Sequence, residues 1–231
     1  MMFLSNFNWQ PLFLTTKLAF ATTLILVIFG IPIAYALAFT KNKLKPVFEA
    51  LVGMPLVLPP TVIGFYFLIA FSPSHGLGKW LNDIFNIQLV FSFSGLVLAS
   101  IIYSLPFMVQ PIQNGLQNLP KNLPEAAYVL GKSKWQTFWR VLLPNCQNSI
   151  LTGMVLTFAH TIGEFGVVLM VGGSIPNKTQ VVSSVIYEQV EALNYGTAHT
   201  YSAILLAISF LVLVVVYSLS KYNNCYLRRN N

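Results

Sequence analysis

"LAFATTLILVIFGIPIAYALAF", residues 18–39, carries no charged side chain over 22 positions. About 20 apolar residues in a helix cross the roughly 30 Å hydrocarbon core of a bilayer, so this run is long enough to span one. It is too long for the apolar core of a secretory signal, and only Lys17 supplies positive charge before it. Four more runs are of the same kind. Residues 50–72 and 200–220 are uncharged, as is a run with its apolar heart at 89–109. Residues 149–172 are apolar except for His160 and Glu164. These five runs predict an all-α, polytopic membrane bundle of about five transmembrane helices, one domain over residues 1–231. Composition agrees, because only 8% of residues are charged, against about 25% in soluble domains.

Charge sets the expected orientation. With the N-terminus outside, the inner segments are 40–49, 110–148 and 221–231. They hold Lys41, Lys43, Lys45, Lys121, Lys132, Lys134, Arg140, Lys221, Arg228 and Arg229. Only Lys17, Lys79 and Lys178 remain for the other face. Basic residues concentrate on the cytoplasmic side of membrane proteins, so the N-terminus is expected outside and the C-terminus inside. No basic stripe on a folded polar surface is visible, which excludes a nucleic-acid partner. Two cysteines, Cys146 and Cys225, are too few for a disulfide framework and match no metal spacing. Both are expected on the cytoplasmic side.

The inner segment 110–148 contains "EAAYVLGKSKWQTFWRVLLP", residues 125–144, polar in an otherwise greasy chain. It predicts two short helices. Pro124 suits a first helical position, and Glu125 opposes the positive end of the helix dipole. Gly131 has the place of a helix-ending C′ glycine. Ser133 with Gln136 fits a capping box. Trp135, Phe138, Trp139 and Leu142 recur at i, i+3, i+4 and i+7, which predicts one amphipathic face. Periodicity alone favours a membrane-surface connector. Small residues at Ala126, Ala127 and Gly131 suit a docking surface that a partner approaches closely.

Glu125-Ala126-Ala127, three residues, Gly131, nine residues and then Val141-Leu142-Leu143-Pro144 resembles the EAA loop of bacterial ABC importer permeases, with Val141 where the family usually has Ile. "MPLVLPPTVIGFYFL" (54–68), "GEFG" (163–166) and "IPNKTQVVSSVIYEQVEALNYGTAHTYSAILL" (175–206) resemble the molybdate branch, with sulfate and thiosulfate permeases as near relatives. The resemblance implies a type I ABC importer permease of the bacterial inner membrane, embedded in lipid. Segment 110–148 would be its cytoplasmic coupling loop, with Glu125, Ala126, Ala127, Gly131, Leu143 and Pro144 meeting an ATPase. The implied partners are a second copy of the chain, a cytoplasmic ABC ATPase dimer and an extracytoplasmic oxyanion-binding protein. Molybdate is the implied cargo, with sulfate, thiosulfate or tungstate as alternatives.

This chain is not expected to be an enzyme. A P-loop needs G-x-x-x-x-G-K-[ST] to cradle phosphate. The nearest stretch, "GGSIPNKT" (172–179), has Asn177 at the second glycine position. No cofactor is expected, and His160 with Glu164 makes no metal set.

Pro55, Pro59 and Pro60 interrupt the second run. Proline removes a backbone donor, and carbonyls freed in a membrane must be buried or face a wet cavity. A broken helix beside the translocation path is therefore expected at Pro59, Pro60 and Thr61. His160 and Glu164 are four apart and are expected on one helix face. Ionisable groups in spans usually face a bundle interior or cavity. Gly163, Glu164, Phe165 and Gly166 join the path or gate through the resemblance. No Lys or Arg lies deep in a run, and hydroxyls such as Thr61, Thr157 and Thr161 suit the weak binding that conduction requires. Two other readings compete. Glu164 and the broken span suit a proton-coupled secondary transporter, without an internal repeat to support it. An intramembrane enzyme using His160 and Glu164 lacks a nucleophile.

Overall fold

The computed structural model describes residues 7–229, with side chains through 214. Cys225 therefore lies outside the described side chains. The described residues contain helices and connections and no strand. In chain order the helices are α1 Gln10–Phe39, α2 Lys45–Val57, α3 Pro60–Phe71, α4 Gly76–Phe85 and α5 Phe93–Gln117. The loop carries α6 Asn122–Val129, α7 Lys134–Thr137, a π-helical turn Phe138–Leu142 and α8 Leu143–Asn145. Then come α9 Gln147–Gly163, α10 Gly166–Gly172, α11 Val182–Glu191 and α12 Tyr195–Arg229.

Three helices are long and apolar enough to span a membrane by themselves: Gln10–Phe39, Phe93–Gln117 and Tyr195–Val214. The other two expected spans are bent pairs. The chain turns by 110° between α2 and the α3–α4 segment, and by 61° between α9 and α10. The total is five if each pair is one crossing.

The core is a three-helix packing of α1, α5 and α9. Met108 of α5 lies between two glycines. A Cβ on Gly30 of α1 would stand 2.8 Å from Met108 Cγ, and one on Gly153 of α9 would stand 3.0 Å from the Met108 carbonyl oxygen. Lipid gives membrane helices no hydrophobic reason to associate, so close backbone approach at small residues supplies the packing. Leu26, Ala34, Leu37, Val109, Ile112, Leu116, Leu142 and Cys146 join Met108 in this buried cluster.

Contacts along the helices give their directions. Lys17, near the start of α1, sits 4.8 Å over the ring of Phe93 at the start of α5. The two helices therefore run parallel. On α9 the order reverses, because Cys146 approaches Ile112 while Thr161 approaches Ser104. Tyr201 of α12 donates to the carbonyl of Asn8 at 2.7 Å, so α12 starts where α1 starts. At the other end, Gln113 donates to Glu49 at 2.6 Å, and the rings of Tyr35 and Phe138 lie 4.6 Å apart. Two of the lysine-bearing segments, 40–49 and 110–148, thus share one end of the bundle.

Helical structure enters segment 110–148 from both sides, because α5 continues to Gln117 and α9 begins at Gln147. α4 and α11 are short helices between the span-length runs. Pro124 is the third helical residue, since α6 starts at Asn122.

Candidate functional site

The two helix breaks meet at one cavity of about 520 Å³, lined by Pro60, Thr61, Tyr103, His160, Glu164 and Gly166 among others. Gly163 and Phe165 also line it, whereas Pro59 does not. A Cβ on Gly166 would stand 2.8 Å from Pro60 Cβ, so glycine lets the second break seat directly on the first.

The first break follows from covalent structure. Leu58 precedes Pro59 and is extended (φ −75°, ψ 137°); Pro59 precedes Pro60 and is also extended (φ −55°, ψ 138°). A proline ring crowds the preceding residue out of the helical region, and here that happens twice in succession. Pro60 then opens α3, where its missing N–H costs nothing.

The second break has no proline. Glu164 is extended (φ −68°, ψ 131°), and α10 restarts after Phe165. Polar side chains hold it. Ser100 donates to Glu164 Oε2 at 3.0 Å, and Ser183 of α11 donates to the Glu164 carbonyl at 2.6 Å. Phe165 packs against Tyr187, with ring centroids 5.0 Å apart. The Glu164 side chain is only 5% exposed, and its Oε1 has no hydrogen-bond partner among the described residues.

His160 and Glu164 do not share a continuous helix face, because α9 ends at Gly163. Both are nevertheless met by one face of α5. Ser104 pairs with His160 Nδ1 at 3.0 Å and with Thr161 Oγ1 at 3.1 Å, four residues after Ser100 meets Glu164. His160 stacks on Phe107 at 4.0 Å. No group of three or more His, Cys, Asp or Glu side chains suited to a metal ion occurs among the described residues. Sequence reading missed Ser100, Ser104 and Ser183. The available signal was the i, i+4 spacing of two serines in an apolar run, the same spacing as His160 and Glu164.

Apart from the start of α6, the loop is built as its residues predict, with one exception. Lys132 N–H donates to the Ala127 carbonyl at 3.0 Å and Gly131 N–H to the Tyr128 carbonyl at 2.9 Å. Gly131 has φ +74°. This is a Schellman ending, which needs a left-handed residue after the cap. The capping box of Ser133 and Gln136 is present. Glu125 and Ala126 are exposed and Ala127 is buried. Val129 is 87% and Leu130 77% exposed, a large apolar surface left uncovered by the described residues. The exception is the amphipathic face. Phe138 and Leu142 are buried, whereas Trp135 is 69% and Trp139 49% exposed. The three rings still touch one another, with centroids 5.3–6.1 Å apart, so they share one side, and a π turn follows, seen in Leu143 N–H to the Phe138 carbonyl. It immediately precedes Pro144, whose ring would otherwise clash with the previous turn. Leu143 is half-buried and Pro144 exposed.

The near-P-loop stretch is a closed turn. Thr179 is buried, donates to the Gly172 carbonyl at 2.6 Å and accepts from Ile175 N–H at 3.0 Å.

Comparison with known proteins assigns the family. The model for the binding-protein-dependent transport system inner membrane component matches residues 26–224. The chain is 43% identical over 219 residues to the molybdenum transport system permease protein ModB of Azotobacter vinelandii, covering 95% of this chain and 97% of that one. It is 37% identical over 207 residues to a probable sulfate transport system permease protein, cysT of Marchantia polymorpha, covering 88% of this chain and 69% of that one. A chain of the inward-facing MetNI methionine ABC transporter superposes with a TM-score of 0.73 at 16% identity, covering 92% and 94% of the two chains. A chain of a bacterial ABC transporter that imports alginate gives 0.74 at 18%, covering 95% and 82%. At those identities the likeness is one of fold. With a family match along most of its length, close relatives end to end and the helical fold of ABC importer permeases, this chain belongs to the inner-membrane components of binding-protein-dependent transport systems.

Proposed function

We propose that the chain is the membrane-spanning subunit of an ABC importer for molybdate. A second copy would complete the pore, and separate cytoplasmic ATPase subunits would drive it. An extracytoplasmic oxyanion-binding protein would deliver the cargo. The observation that carries the cargo assignment is the 43% identity to a molybdenum permease across 97% of that relative, against 37% across 69% of a sulfate one. The cavity supports it chemically. Its lining includes Thr61, Tyr103 and His160 and no Lys or Arg. A fixed buried cation would hold a dianion tightly, whereas passage needs weak binding. Selection then falls to the binding protein.

In this reading Glu125, Ala126, Ala127, Gly131, Leu143 and Pro144 transmit ATPase motion, and the two breaks with Pro59, Pro60, Thr61 and residues 163–166 form the path or gate. The lysine-rich end is cytoplasmic. An impermeant thiol reagent should label Cys225 in inverted vesicles and not in intact spheroplasts. Uptake by a deletion strain carrying this chain tests the cargo: labelled molybdate should enter, tungstate should compete, and sulfate in large excess should not. Uptake of sulfate without molybdate overturns the assignment in favour of the sulfate branch.

The unpartnered Glu164 oxygen beside the cavity favours one other reading, a proton-coupled carrier. In reconstituted vesicles at constant ATP, uptake by the importer is insensitive to a proton uncoupler. Uptake that follows the proton gradient selects the carrier.

A further inference from the structure

A groove of about 790 Å³ lies between α1 and the second half of the loop. Val27, Ile31 and Tyr35 form one wall, and Trp135, Phe138 and Trp139 form the other. Its only charged lining residue is Lys134. Lys134 makes no ion pair among the described residues. It stands at the first position of α7, where a positive charge opposes the helix dipole and gains nothing locally.

We propose that this groove holds an anionic phospholipid, with an acyl chain between α1 and the loop and the headgroup phosphate at Lys134. The α1 wall belongs to a span with mean hydropathy 2.2, so the groove reaches hydrocarbon depth, where a soluble peptide does not go. Tryptophans at its mouth suit the boundary between hydrocarbon and headgroups. Basic pockets beside transmembrane helices recognise anionic headgroups. Charge argues against a second copy as the occupant. Lys134 lines the groove and Lys132 and Arg140 are exposed in the same loop, so a copy meeting it face to face would bring the same cations. The lipid would tie the loop to α1 beside the ring contact of Tyr35 and Phe138. This assignment is independent of which oxyanion is carried.

Tryptophan quenching tests it directly. Of the four tryptophans, Trp9 and Trp80 are changed to Phe, so that only Trp135 and Trp139 fluoresce. The full chain is reconstituted in phosphatidylcholine vesicles containing a minor fraction of brominated phosphatidylglycerol or, separately, of brominated phosphatidylcholine. Phosphatidylglycerol should be enriched at the groove about fivefold over its mole fraction, the worth of one lysine at an anionic surface. Lys134→Gln should bring that preference close to parity. Quenching by brominated phosphatidylcholine should stay at the wild-type level, which shows that the two indoles still face lipid. Equal quenching by the two lipids in the parent chain overturns the proposal. So does quenching by neither, as expected of a groove covered by protein, or a preference that survives Lys134→Gln.

Discussion

The two helix breaks look alike and are made differently. At Leu58–Pro59 the backbone has no helical option, because two successive residues each precede a proline. At Glu164–Phe165 nothing in the local covalent structure forbids a helix, and the bend depends on Ser100 and Ser183 reaching in from α5 and α11. The first break is a property of a tripeptide. The second is a property of the assembled bundle, and it can change when the helices around it move. One side is therefore fixed and the other answers to its surroundings, which is what the proposed gate would need.

Substitutions can separate the two. The largest effect is expected where they touch. Gly166→Val puts a branched side chain against Pro60, where even a Cβ would approach to 2.8 Å. Overpacking of this kind costs about 1–3 kcal/mol, and the cavity should lose its shape. Uptake should fall to background, and the melting temperature of the purified protein should drop. Uptake at the parental level would mean that the breaks work independently. Ser183→Ala comes next. It leaves the Glu164 carbonyl without its donor, at a cost of about 1–3 kcal/mol. Hydrogen exchange should rise in residues 164–168 and not in α3. Equal change in both would show that the bend needs no help from α11.

Gly131→Val is a control outside the membrane. No atom lies within 4 Å of the added Cβ, so only the left-handed backbone is strained, by roughly 1–2 kcal/mol. Membrane levels should be normal while substrate-stimulated ATP hydrolysis and ATPase co-purification fall. Gly131→Asn should retain most of both, because Asn tolerates that conformation. Pro59→Ala should have the smallest effect. Pro60 still forces residue 59 to be extended, so the melting temperature should barely move and uptake should remain. A large loss would show that Pro59 acts by more than its ring geometry.

The same contrast explains what could be read in advance. Spans were legible as uncharged runs, and the proline break, the Schellman glycine and the capping box were legible because each rests on neighbours within a few residues. The bend at Glu164 was not. Its partner Ser100 is 64 residues away and Ser183 is 19 away, so no local pattern carries it. His160 and Glu164 were expected on one face because spacing assumes an unbroken helix. Glu164 stood out as an ionisable residue in an apolar run, and the GEFG resemblance added to that. The side shared by Trp135, Phe138 and Trp139 was legible from spacing, whereas the π turn behind it was not. α4 and α11, at ten residues each, were too short for a span-length search to register.

That π turn also bears on how the loop tolerates change in length. Over Phe138–Leu142 the chain winds more slowly than an α-helix, so Pro144 is turned relative to an unbroken helix from Ser133. The interval between Gly131 and Pro144 therefore acts as an angular setting as well as a set of side chains. A deletion of one residue within it, even of exposed Arg140, would let the turn relax to α-helical winding. Every side chain before it would remain, yet the loop would present a different azimuth to whatever lies beneath it. Substitutions in this stretch change a surface; insertions and deletions re-aim it.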